Sequence, residues 1–459
     1  MKKLRKAAVA AVIFAMLLSL SVPAFAAQTL TNDDKNYMAA AMIYNTMGLL
    51  EDEYVGMDLT PEQLFDAAMN GMASILDPYS AYFTPSDLDS FMSDLASEYF
   101  GIGVMIEQNA DGGAVISQVM SGSPAEAAGL EPGDVIVSVD GVTISAGIDG
   151  MVSQIAATNQ PSEIVVTRGS QTLTLTVGKA MVSNQTVFVD TLDNVLDSAK
   201  GVSTPNLRYM YISSFGDGTA DEFSAALTQM KSDGVTGLVI DLRGNGGGYV
   251  DVMLDICKMI VPKGVIMSTR EKTGVATFYM SDLQQAPFKN VVILTDAYTA
   301  SASETFTAAM QDSKAATVVG ETTFGKGVMQ TMESLPVGGA FKYTVAEVYR
   351  RSGAKINGVG VRPDVVITHP APADGADANL VSEVKAVLNY IGCGVSSTDN
   401  TLDDAAKAAL AKFQKDNGLP VTAYPDSKTL TLMNNMMYAQ YYSSDAPLQK
   451  AYDILTGTN

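Results

Sequence analysis

Histidine occurs once in this 459-residue chain and cysteine only twice. With a single histidine and no paired cysteines, the ligand set of a zinc site cannot be assembled. Cys257 lies in the apolar helical stretch DVMLDICKMIV, which suits a buried thiol better than a disulfide with the distant Cys393. Basic residues are also scarce. There are 29 against 50 acidic ones, and the net charge of −21 argues against a nucleic-acid partner. No EF-hand calcium loop is present. Apolar residues, in contrast, make up 47 % of the chain, which indicates packed domains and not disorder. The length is too great for one core, so several domains are expected.

The first residues, MKKLRK, are followed by the short apolar run AAVAAVIFAMLLSLSV and by small residues at Ala24 and Ala26. That order reads as a secretory signal peptide, residues 1–26, and therefore as an exported protein of the cell envelope or the medium. Residues 27–95 carry helical periodicity, with Thr60 as an N-cap and Pro61 in the first turn. From residue 96 to about 180, short β segments such as DVIVSVDG and SEIVVTRG alternate with turn residues, the pattern of a small β-domain. Residues 181–370 alternate continuous apolar runs (GLVIDLR, NVVILTD, ATVVGE) with helical segments, as buried strands in an α/β core do. A Pro/Ala/Gly linker, 371–379, leads to a helical tail, 380–459. The fold class is multidomain α+β: an N-terminal helical region, a β-domain, an α/β core and a small helical C-terminal domain.

The stretch YTASASETF places Ser301 between a strand and a helix, where backbone N–H groups suit a developing oxyanion. A lone serine at a helix start is more often an ordinary N-cap. It gains meaning only with a base, and the one histidine, His369, sits far away beside the linker. Lys326, between glycines in GETTFGKGVMQ, is the alternative, because a desolvated neutral lysine can deprotonate a serine. Gln330, an even offset of four away, would share its strand face and hold the amine. GETTFGKG is close to a phosphate-binding loop, but Gly327 replaces the magnesium-binding hydroxyl and no helix follows. The glycines of IDLRGNGGGYVD fail the dinucleotide spacing at Tyr249. They serve better as a second backbone donor beside Ala302 N–H.

DLRGNGGG, TASASE, GKGVMQ and GVGVRPDVVI, in this order and spacing, resemble the C-terminal processing peptidases, or tail-specific proteases, over about residues 35–368. The resemblance implies an exported serine endopeptidase that needs no cofactor or metal. Ser301 would be the nucleophile, Lys326 the general base and Gln330 its positioner, with Gly247 and Ala302 forming the oxyanion hole. RGNGGG departs from the family's Asn-Asn-Pro-Gly-Gly, so Gly246 and Gly248 remain alternatives. FGIGV followed by SPAEAAGLEPGDVI resembles a PDZ module. There Ile102, Gly103 and Val104 would bind a peptide carboxylate, while Met151 and Ile155 would contact its last side chain. The implied substrates are proteins with exposed apolar C-termini. AALAKFQKDNGL with DSKTL resembles small peptidoglycan-binding domains, which makes peptidoglycan a candidate ligand of the tail. The N-terminal helices would serve packing or self-association, and the tail is expected to be dispensable for hydrolysis of a soluble peptide. The rival reading is a non-catalytic PDZ scaffold tethered to the wall.

Overall fold

The computed structural model describes residues 31–458 apart from 97, 109–112, 121, 144–153, 156–157, 197–203, 374–378, 396 and 398. The proposed signal peptide, Met151 and most of the 371–379 linker lie outside the described residues. The chain divides into two units, residues 1–82 and 83–459.

In the first unit, helices Asn32–Glu53 and Pro61–Ala73 both begin with capping boxes, Thr31 with Asp34 and Thr60 with Gln63. Each box satisfies two backbone donors that a helix start leaves open. Neither helix buries a residue, and Tyr37, Met42 and Tyr44 face solvent. Tyr82 is buried, with its hydroxyl donating to Asp66 at 2.7 Å and its ring edge-on to Phe65.

The β-domain of the second unit is a six-stranded antiparallel sheet in which Val104–Gln108, Ala114–Val119, Val135–Val139, Ser162–Arg168 and Gln171–Val177 lie side by side and the short Val142–Thr143 pairs with Val135–Val139. Alternate residues Ile116, Ile136, Ile164, Val166 and Val177 point into one core, as a period of two requires. Asp140 and Gly141, at φ 50° and 78°, make the two-residue turn after Val135–Val139. Positive φ at both positions matches the strand twist.

The α/β core is a six-stranded sheet in the order Val187–Thr191, Leu207–Ile212, Gly237–Asp241, Asn290–Thr295, Thr317–Gly320 and Val365–Val366. Only the first pairing is antiparallel. Leu238, Ile240, Ile293 and Val318 face helices Thr219–Ser232, Val250–Ile260 and Ala302–Asp312. Val239, Val292, Leu294 and Val319 face the other way and pack on Leu448 and Ala451 of helix Ala446–Thr456. Covering on both faces explains the unbroken apolar runs of these strands. It also corrects the expected organisation. This last helix, assigned from sequence to the tail domain, is a layer of the α/β core.

The remaining tail helices, Leu380–Tyr390, Asp404–Asp416 and Ser427–Ser444, form their own core around Val384, Leu388, Leu410, Phe413 and Met433. Within it Lys385 is fully buried and bridges Asp399 at 3.0 Å and Asp403 at 2.7 Å. The approach to the tail is tied down at its start. Ala373 is buried, and its N–H and C=O both bond the Asn434 amide. His369 is likewise held, with its ring centroid 5.0 Å from those of Tyr438 and Tyr441.

Candidate active site

Three loops leave the carboxyl ends of adjacent parallel strands, where open α/β sheets place their binding crevices. One carries residues 244–248, after strand Gly237–Asp241. The next carries Ser301, after Asn290–Thr295. The third carries Lys326, after Thr317–Gly320. Their edges are knitted together. Gly244 N–H donates to both oxygens of Asp296, Ala300 N–H to Asn245 O at 3.0 Å, and Thr299 Oγ1 to Leu242 O at 2.9 Å.

Ser301 does not have the backbone of an ordinary N-cap. Its φ of 59° and ψ of −116° lie outside the extended region that caps occupy. Such a conformation in a non-glycine residue costs on the order of 1–3 kcal/mol and persists only where neighbours enforce it. The principal enforcer is Glu304, whose side chain is completely buried. Its Oε2 accepts the N–H of Ser301 at 2.8 Å and the N–H of Lys326 at 2.7 Å. Its Oε1 accepts Gly325 N–H at 2.7 Å and Thr323 Oγ1 at 2.5 Å. One carboxylate therefore holds the serine turn and the lysine loop together. The S-x-x-E spacing was visible, but its bonds to the second loop are tertiary.

Lys326 and Gln330 are both half-buried. The strand that follows, Val328–Ser334, begins two residues after Lys326, and its pairing with Ala340–Arg350 slips between Met329 and Gln330. Strict alternation, which suggested a shared face for Lys326 and Gln330, does not apply across this irregularity.

Gly247 lies against the serine. A Cβ added there would stand 2.8 Å from Ser301 Cβ, 2.9 Å from Ala300 O and 3.0 Å from Ala302 N. Its φ of 106° also favours glycine. The N–H of Gly247, however, donates to Asn245 Oδ1 at 2.9 Å, so the expected oxyanion donor is engaged within its own loop. Asn245 is itself anchored by Nδ2 to Ile212 O at 2.8 Å. Phe215 N–H bonds Gly247 O and Tyr249 N–H bonds Phe215 O, which turns the N–H of Gly248 to the opposite edge. Ala302 opens the helix, so its N–H has no helical acceptor.

In the β-domain, Gly103 has a φ of 85°, and Ile102 is buried in the domain core. Burial raises the pKa of the Tyr99 hydroxyl, with a backbone hydrogen bond from Gly103 acting in the opposite sense. Ile155 is 8 % exposed and packs with the β-domain core, not on the surface.

Beside the glycine loop, Arg243 is gripped by Asp241 and Asp445. Burial opposes its charge, but hydrogen bonds to the two carboxylates outweigh that and raise its pKa.

Comparison with known proteins assigns the segments. Residues 206–367 match the model of peptidase family S41, residues 91–177 that of a PDZ domain, and residues 377–433 that of a peptidoglycan binding domain. A CtpA-like serine protease of Staphylococcus haemolyticus is 31 % identical over 411 residues, covering 86 % of this chain and 80 % of the relative. One from Staphylococcus aureus strain N315 is 29 % identical over 431 residues, covering 90 % and 84 %. Among solved structures, the photosystem II D1 C-terminal processing protease is 29 % identical, covering 73 % of this chain and 88 % of that one, with a TM-score of 0.42.

Proposed function

The chain belongs to peptidase family S41, the C-terminal processing peptidases, and on that premise we propose that it cleaves peptide bonds through an acyl-enzyme on Ser301. Lys326, as a neutral amine, takes the hydroxyl proton while Ser301 Oγ attacks the scissile carbonyl. The amine then returns the proton to the leaving nitrogen. A water molecule repeats the cycle on the ester, again with Lys326 as base. Gln330 orients the lysine and transfers no proton. Ala302 N–H and one N–H from residues 246–248 take the oxyanion. Gly247 serves if it exchanges Asn245 Oδ1 for the substrate oxygen, and Gly248 serves without that exchange.

The observation that carries this reading is the double use of Glu304 Oε2. Nucleophile and base are hung by their own backbone N–H groups from one oxygen atom. A shared anchor of this kind fixes two reacting side chains in relation to each other, which is what catalysis by positioning requires.

The PDZ domain captures free, apolar C-termini at Ile102, Gly103 and Val104, and the peptidoglycan-binding-like tail retains the enzyme at the cell envelope. No described helix is long and apolar enough to cross a membrane. The exposed Tyr37, Met42 and Tyr44 of the first unit support association of copies through the N-terminal helices. The test is twofold. A fluorophosphonate should label the wild type and not Ser301→Ala. A peptide with a free apolar C-terminus should also be cut faster than its C-terminal amide. Equal rates on the two peptides would remove the PDZ part of the reading, and labelling of Ser301→Ala would remove the serine.

A further inference from the structure

Arg243 joins strand Gly237–Asp241 to the glycine loop, and its guanidinium is forked twice. On one side Nε lies 3.0 Å from each oxygen of Asp241, and Nη2 donates to Asp241 Oδ2 at 2.6 Å. On the other, Nη1 donates to Asp445 Oδ1 at 2.7 Å and Nη2 to Asp445 Oδ2 at 3.0 Å. Two-pronged pairs of this kind fix direction as well as distance. Asp445 comes from a different part of the chain. It is the single residue between helices Ser427–Ser444 and Ala446–Thr456, and its φ of 35° and ψ of 56° are left-handed. Its carboxylate also caps the second helix, accepting Leu448 N–H at 3.2 Å. Aspartate tolerates that conformation when its side chain bonds locally, as this one does to Leu448 N–H.

The consequences of holding Arg243 run directly to the serine. Arg243 N–H bonds Asp241 Oδ1, and the next residue, Gly244, donates its N–H to Asp296. Asp296 in turn accepts both N–H and Oγ1 of Thr299, two residues before Ser301. The preceding helix, Ser427–Ser444, contributes Met433 and Met437 to the tail-domain core and Tyr441 to the flank of His369. The same helix thus begins in the peptidoglycan-binding-like domain and ends at the arginine of the catalytic loop.

We propose that Asp445 is a positioning residue for catalysis, through which the tail domain sets the geometry of the loop between Arg243 and Gly248. The proposal rests on the reading of Ser301 as nucleophile, and it makes the tail more than a tether. Its role is to keep the oxyanion loop in register with the serine turn by fixing Arg243 from outside the protease segment.

Asp445→Asn is the informative variant, because asparagine caps helices as well as aspartate and tolerates left-handed backbone, but carries no charge for Arg243. Leu448→Ala is its counterpart. It weakens the packing of the last helix on the sheet and leaves the ion pair alone. In the full chain, Asp445→Asn should lower kcat and the rate of fluorophosphonate acylation about tenfold, with KM within about twofold and the thermal midpoint nearly unchanged. Leu448→Ala should do the reverse, lowering the midpoint and sparing kcat. Wild-type kcat in Asp445→Asn, or losses of kcat that simply follow thermal stability in both variants, would overturn the proposal while the serine mechanism stands. A wild type that neither hydrolyses peptide nor takes the label would overturn both.

Discussion

Gly247 and Ser301 approach so closely that a single methyl group cannot be placed between them; a Cβ on Gly247 would lie 2.8 Å from Ser301 Cβ. Gly247→Ala must therefore displace either the glycine loop or the serine turn. The φ of 106° at this position adds backbone strain on the order of 1–3 kcal/mol. The variant should stay folded and lose at least about a hundredfold in kcat, since small misplacements at reacting atoms have effects of that size. Steady-state kinetics beside a thermal melt would check this, and an active variant would mean that the close approach has no bearing on catalysis.

Ser301→Ala should abolish hydrolysis without unfolding the chain. Lys326→Arg should be as damaging as Lys326→Ala, because a guanidinium cannot give up a proton in a protein. Loss of either member of a nucleophile–base unit costs several orders of magnitude in turnover. Gln330→Ala should cost less than both. Single-turnover acylation measured on all four variants would rank them, and activity in Lys326→Arg would show that this position supplies charge and not a base.

Glu304→Gln tests the shared anchor. The carboxylate accepts four donors on two oxygens, whereas a glutamine amide offers one oxygen and turns an NH2 toward donors it cannot satisfy. Leaving buried donors unpaired costs about 1–3 kcal/mol each. The variant should melt earlier and, at temperatures where it is fully folded, still acylate far more slowly than the wild type. Normal acylation in the folded variant would reduce Glu304 to a stability role.

Most of the architecture was legible because each layer leaves a mark on the sequence. Thr60 and Pro61 announce their helix, and DG at 140–141 sits where a two-residue turn is required. The apolar runs around Val239 and Val292 report strands covered on both faces. What covers the second face was not legible. Nothing local distinguishes helix Ala446–Thr456 from the tail helices before it, because the strands it covers at Val239, Val292, Leu294 and Val319 lie far back in the chain. Removing the whole tail would therefore also strip a covering helix from the α/β sheet, which its reading as a separate appendage did not include. The same holds for Glu304, whose N-terminal cap role is local while its grip on Lys326 is not. His369, which the sequence places only beside the linker, packs against two tyrosines that the folded tail supplies.

The tail's own polar core predicts an acid limit. Hydrogen bonds from Ser397 and Lys385 lower the pKa of Asp399, and the bond from Lys385 lowers that of Asp403, both from 3.8. Bonding to Asp403 raises the pKa of Lys385 from 10.5. The carboxylates contribute stability that is complete above pH 3.8 and is lost as pH falls through their depressed values. The lysine contribution is complete below pH 10.5 and is lost as pH rises through its elevated value. The thermal midpoint of the tail should therefore hold steady between these limits and fall steeply in stronger acid. Lys385→Met should show a weaker acid dependence. Identical pH profiles for the two would exclude the cluster as the cause.

Helix Ala446–Thr456 is made after every strand that it covers. Without that helix the sheet lacks the cover of Leu448 and Ala451 on one apolar face, and without Asp445 before it Arg243 has only one of its two carboxylates. Burying a leucine such as Leu448 is worth roughly 1.5–3 kcal/mol, so the nascent core is distinctly less stable than the finished one. A chain interrupted before residue 446 would leave Val239, Val292, Leu294 and Val319 without the cover of Leu448 and Ala451.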